Sequence, residues 1–147
     1  MATTVSSIVD NAESIAASTL STGWNRLRFV WQPEKNDGRV ANRAYGIRPG
    51  AAEPASGIIK NETLRQAFTL LLTDVTTRTE DDSEVQAILD TLYDKADQVF
   101  KQYATLLLNL GGTVIQVEER SIAEPLVTAN GLVVLETTFF VKYRQTL

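Results

Sequence analysis

The sequence predicts an α+β fold, a mainly antiparallel sheet of about five strands packed against one long helix and a shorter N-terminal helix. Three observations carry this. Apolar residues from Val85 to Leu107 recur at three- and four-residue spacing for about six turns. The stretches Thr63 to Val75 and Leu132 to Arg144 instead alternate with period two. Most connections between strand-like stretches are too short for parallel crossovers.

Val5, Ile8, Val9, Ala12, Ile15 and Ala16 form the stripe of an amphipathic helix over Thr4 to Ser18, and Gly23 closes it or starts the next turn. Asn25 to Trp31 reads as a half-buried strand, with Leu27, Phe29 and Trp31 on one face. Pro33 ends it, and Asp37-Gly38 offers a tight hairpin turn into a second strand from Arg39 to Arg48. The two prolines and two glycines between Arg48 and Gly57 predict a long irregular loop, at about 48–61.

The third strand puts Leu64, Phe68, Leu70 and Leu72 on one side and Arg65, Thr69 and Thr73 on the other. Asp81, Asp82 or Ser83 then caps the long helix, whose acidic first turn suits the positive end of its dipole. Gly111-Gly112 stops that helix before a fourth strand, Thr113 to Arg120. Ser121 to Gly131 reads as a polar connection, and the last strand puts Val133, Leu135, Thr137, Phe139, Val141 and Tyr143 on a nearly all-apolar face.

At 147 residues the chain has the length of one domain and is read as one, 1–147. It contains no cysteine and no histidine, which excludes disulfides, thiolate nucleophiles, zinc–thiolate sites and the commonest general base. No phosphate loop, nucleophile elbow or dinucleotide fingerprint is present. We therefore expect no catalytic residue, no cofactor and no metal. Its longest apolar runs fall far short of the ~18 residues of a spanning helix. The N-terminus shows no basic region followed by an apolar one, so a start in a cytoplasm is expected.

A net charge of −4 argues against general polyanion binding. The distribution says more than the total. Arg26, Arg28, Lys35, Arg39, Arg43 and Arg48 face only Glu34 and Asp37 in their stretch, whereas Asp74 to Asp97 holds eight acids, among them Glu80, Asp81, Asp82 and Glu84, against two bases. The two blocks are complementary, and the arginines are read as solvated or inter-subunit surface because few aromatics interleave with them. Trp24 and Trp31 bracket the first strand; each reads as core or as an interface anchor. Glu118 and Glu119 point to opposite strand faces and do not share a site.

The order of amphipathic helix, strand cluster with a loop-rich insertion, long helix and closing hairpin ends in Leu135-Glu136-Thr137-Thr138-Phe139-Phe140-Val141-Lys142-Tyr143-Arg144. It resembles the tail terminator family of long-tailed bacteriophages, whose members commonly end in such a strand with a terminal Tyr-Arg. The resemblance implies a structural virion protein of the tail and neck, assembled in the host cytoplasm. Such a subunit forms a hexameric ring on the last ring of tail tube protein, stops tube polymerisation and presents a surface to the head–tail connector or stopper, while DNA passes through the lumen without specific binding. The long loop departs from a compact family pattern and leaves another neck, stopper or completion role open. A small ligand-binding domain or enzyme with a sheet–helix pocket is the competing class; the apolar inward positions Leu64, Phe68, Leu70, Leu72, Phe139 and Val141 read instead as filled core.

Overall fold

The computed structural model describes residues 5–54, 63–76, 81–106, 114–128 and 130–144. In chain order its elements are helix α1 (Val5–Leu20), strand β1 (Asn25–Arg26), one 3-10 turn (Pro33–Lys35), the short helix α2 (Gly38–Ala41), β2 (Ala44–Pro54), β3 (Thr63–Val75), helix α3 (Asp82–Leu106), β4 (Val114–Ile122), β5 (Leu126–Val127) and β6 (Leu132–Arg144). The fold is α+β. Among the described residues six strands, rather than about five, form one sheet in the order β1-β2-β3-β6-β4, with β5 also paired to β6. Every pairing is antiparallel except the two-residue contact of β1 with β2.

The two long strands occupy the spans read from the sequence, because burial of one face imposes the period-two pattern. β3 and β6 pair along their whole lengths, from Thr63 opposite Arg144 to Val75 opposite Leu132. Their shared inner face meets α1 and α3. Ile8, Ala12, Ala16 and Leu20 of α1 and Leu92, Ala96, Val99 and Tyr103 of α3 recur every three or four residues and are buried against Phe68, Leu70, Leu72, Leu135 and Phe139. Phe139 sits among three rings, with centroids 6.0 Å from Phe68, 6.3 Å from Phe100 and 4.8 Å from Tyr103. The Tyr103 hydroxyl donates to the Ala12 carbonyl at 3.0 Å and so ties α3 to α1.

The opposite face carries a smaller core at one end, where Leu27 and Ala41 cover Ala44, Leu71, Leu132 and Val134 of the sheet. Gly46 permits that cover. A Cβ there would stand 2.5 Å from the Val30 Cγ1.

Several local expectations need correction. The predicted strand Asn25–Trp31 ends at Arg26, since the Asn36 side chain takes the role of a neighbouring strand. Its Oδ1 accepts from the Arg28 and Phe29 amides at 2.9 and 3.0 Å, and its Nδ2 donates to the Phe29 and Pro33 carbonyls at 2.9 Å. Asp37-Gly38 is not a hairpin turn; the Asp37 carboxylate accepts from the Arg39 amide at 2.7 Å and caps α2. The second strand accordingly begins at Ala44 rather than Arg39.

It also runs on through residues 48–54, where a loop was expected. Pro49 lies on a strand whose outer side is paired, among the described residues, only at Ala44 and Tyr45, a place where a missing N–H is tolerated. The register slips between Pro49 and Ala52, which marks a bulge at Gly50-Ala51. The rest of that expected loop, the acidic Glu80 and the Gly111-Gly112 stop lie outside the described residues. A second slip, between Val114 and Gln116, accompanies the burial of Val114 in the main core. The expected polar connection 121–131 contains β5, joined to β6 by a turn in which the Thr128 and Gly131 backbones bond and Gly131 adopts φ +91°.

Candidate functional site

The sequence marked the basic stretch Arg26 to Arg48, and the fold divides it. Arg26 pairs with Glu13 of α1 at 2.9 Å. Arg48 is half-buried, pairs with Glu136 of β6 at 3.1 Å, donates to the Val30 carbonyl at 3.1 Å and lies 5.5 Å from the Trp31 ring centre. These two arginines therefore have carboxylate partners inside the chain. Arg28, Lys35, Arg39 and Arg43 are exposed and enter no ion pair among the described residues. The tryptophans separate as well: Trp24 is half-buried against the main core, whereas Trp31 is 64% exposed and Phe29 beside it 42%. Phe29 to Gln32, with Arg28, line a groove of about 190 Å³.

The acidic block is likewise divided. Asp81 caps α3 by accepting from the Glu84 amide at 3.1 Å, and Glu84 accepts from the Thr76 hydroxyl at 2.7 Å. Asp97 pairs with Lys101 at 3.0 Å. Asp82, Asp90 and Asp94 remain exposed without a cation partner among the described residues. Gln86 donates to Asp90 and Gln98 to Asp94, each at 2.8 Å, so four side chains at i, i+4 spacing line one stripe of α3 beside the small Ala87 and Thr91.

A third constellation was not read from the sequence. On the open sheet face, Arg65 of β3 bonds Glu118 of β4 at 2.6 Å and Glu53 of β2 at 3.1 Å, and its guanidinium lies 3.6 Å from the Phe140 ring centre of β6. Lys142 approaches Glu118 at 3.7 Å. The Arg65 hydrogen bond holds the Glu118 carboxyl below its ordinary pKa against the opposing effect of burial. Outward alternation at Arg65 and Glu118 was visible, but their meeting depends on β6 lying between their strands. The sequence also gave no sign that Ile122, Leu126 and Val127 would stand 40%, 55% and 38% exposed on β4 and β5.

A cleft of about 310 Å³ lies between α1 and the β1–β2 edge and is lined by Asp10, Glu13, Ser14, Ala17, Arg26 and Tyr45. Among the described residues no group of three or more acidic side chains is placed to hold a metal ion, and no helix is long and apolar enough to cross a membrane. Tyr103 and Tyr143, the titratable groups pushed upward by burial, are hydrogen-bonded within the core. Comparison with models of known protein families and with curated proteins finds no match.

Proposed function

We propose that this chain is a structural subunit of a phage tail, forming a ring at the head-proximal end of the tail tube, ending tube growth and joining the tail to the head connector. The observation that carries the reading is a pair of exposed apolar patches at opposite ends of the strand order. Phe29 and Trp31 follow β1, whereas Ile122, Leu126 and Val127 belong to β4 and β5. A solitary domain would leave both wet. A ring subunit that is also stacked between tube and connector covers both, one against its neighbour in the ring and one against an axial partner. The element order and the closing Tyr143-Arg144 strand supply the resemblance to tail terminators. The filled inner face of the sheet favours this reading over a pocket enzyme.

The test is solution mass by light scattering with negative-stain imaging, alone and with polymerising tail tube protein of the same phage. We expect rings, and tubes that stop growing with a ring at one end. A monomer that neither forms rings nor alters tube length refutes the proposal.

A further inference from the structure

The sheet separates the two charged surfaces. The segment 27–43 lies over one face through Leu27 and Ala41, and α3 lies on the other through Leu92, Ala96 and Val99. Within one molecule, therefore, the exposed Arg28, Lys35 and Arg39 cannot approach the exposed Asp90 and Asp94. Both sets lack ionic partners among the described residues, and each sits beside apolar or small side chains. We infer that the basic segment of one copy, with Trp31 and Phe29 at its centre, docks on the outward stripe of α3 of a second copy, where Ala87 and Thr91 leave room for a ring beside Asp90 and Asp94. This rests on the reading of the chain as a ring subunit and deepens it, naming the contact between neighbours and leaving the β4–β5 patch for an axial partner.

Opposite charges on two faces that cannot meet internally favour head-to-tail contact over a two-fold one. Aromatic residues ringed by arginines are the usual composition of an interface centre. The four side chains proposed for exchange are exposed, the α2 and Asn36 hydrogen bonds of Arg28 and Arg39 use their backbones, and Asp90 and Asp94 give up only exposed bonds from Gln86 and Gln98, so the fold is expected to survive reversal of charge.

The experiment compares three variants of the full chain with the wild type by light scattering and thermal melting. Arg28→Glu with Arg39→Glu, and separately Asp90→Arg with Asp94→Arg, are each expected to raise the concentration for half-assembly at least tenfold with unchanged melting. The variant carrying all four changes is expected to return to near the wild-type value, since the attraction is rebuilt with reversed sign. Rings that survive either double change, or a fourfold variant that stays dissociated, overturn the docking while leaving the ring itself standing. A wild-type chain that forms no ring, alone or on tubes, removes the reading of function and the docking together.

Discussion

Phe139 and Phe140 are consecutive, chemically identical and pointed to opposite faces of β6, so their truncation tests the layer assignment directly. Phe139 is fully buried among Phe68, Phe100 and Tyr103. Replacement by alanine removes that ring from the middle of the main core and leaves a cavity that β6, held between β3 and β4, cannot close. Phe/Trp→Ala losses of this kind are about 3–5 kcal/mol, a large share of the roughly 5–15 kcal/mol by which a domain is stable. With a urea slope of roughly 2 kcal/mol/M, the unfolding midpoint should fall by about 2 M. Phe140 is half-buried under the Arg65 guanidinium, and solvent already reaches it. Phe140→Ala should therefore move the midpoint by much less. The assay is urea unfolding followed by far-ultraviolet circular dichroism, with slopes compared to check that the unfolded states match. Equal losses at the two positions, or a larger one at Phe140, would refute the assignment of α1 and α3 to the Phe139 face.

Gly131 has φ +91°, and an added Cβ would collide with the carbonyl oxygen of Thr76, whose amide donates to the Gly131 oxygen at 2.8 Å. Gly131→Ala should lower stability by at least about 2 kcal/mol in thermal melts, whereas Gly23→Ala, with φ +99° but open space around it, should lose only about 1 kcal/mol. Asp81→Ala removes the N-cap of α3 and should cost about 1 kcal/mol, measured as a shift of the urea midpoint; no shift would mean another group caps the helix. Glu118 has a folded pKa below its unfolded value of about 4.3, so its contribution is present above that pH and is lost as pH falls through the folded value. Glu118→Gln should thus destabilise at pH 7 and lose its difference from wild type in stronger acid; a gap that persists unchanged to pH 2 would show that the carboxylate charge is not the cause.

The parts of the fold that were legible in the sequence are those where burial on one side enforces a period. β3, β6 and α3 each bury a continuous stripe, and their boundaries follow from where the stripe stops. Segment 27–43 escaped because side chains replace backbone partners there: Asn36 satisfies two amides and two carbonyls, and Asp37 caps a single turn. Its alternating Leu27, Phe29 and Trp31 mimic a strand, yet only Leu27 is buried. Residues 48–54 escaped for the opposite reason, since proline and glycine composition signals a loop while the bulged, nearly unpaired outer side of β2 accommodates both. The charged blocks were visible in sequence, but Arg48–Glu136, Arg26–Glu13 and the Arg65 cluster join residues whose proximity is set by sheet order alone.

That same sheet order constrains how copies of the chain associate. A strand-by-strand continuation of the sheet from one copy to the next needs two flat edges with free backbone groups, and neither edge supplies them. β2 carries Pro49 and a bulge, while β4 changes register twice, at Val114/Gln116 and at Glu118/Arg120. Side chains must then provide the contact, and the exposed side chains suited to it are the aromatic pair within the basic segment and the acidic stripe of α3. Salt discriminates the two contributions. Screening shortens from about 10 Å at 0.1 M to about 3 Å at 1 M, so the charged rim weakens and association slows, while burial of the Trp31 ring is retained. A contact built this way is strongest when the apolar centre and the charged rim act together, which is why the fourfold charge exchange, with Trp31 left in place, is the arrangement expected to assemble as the wild type does.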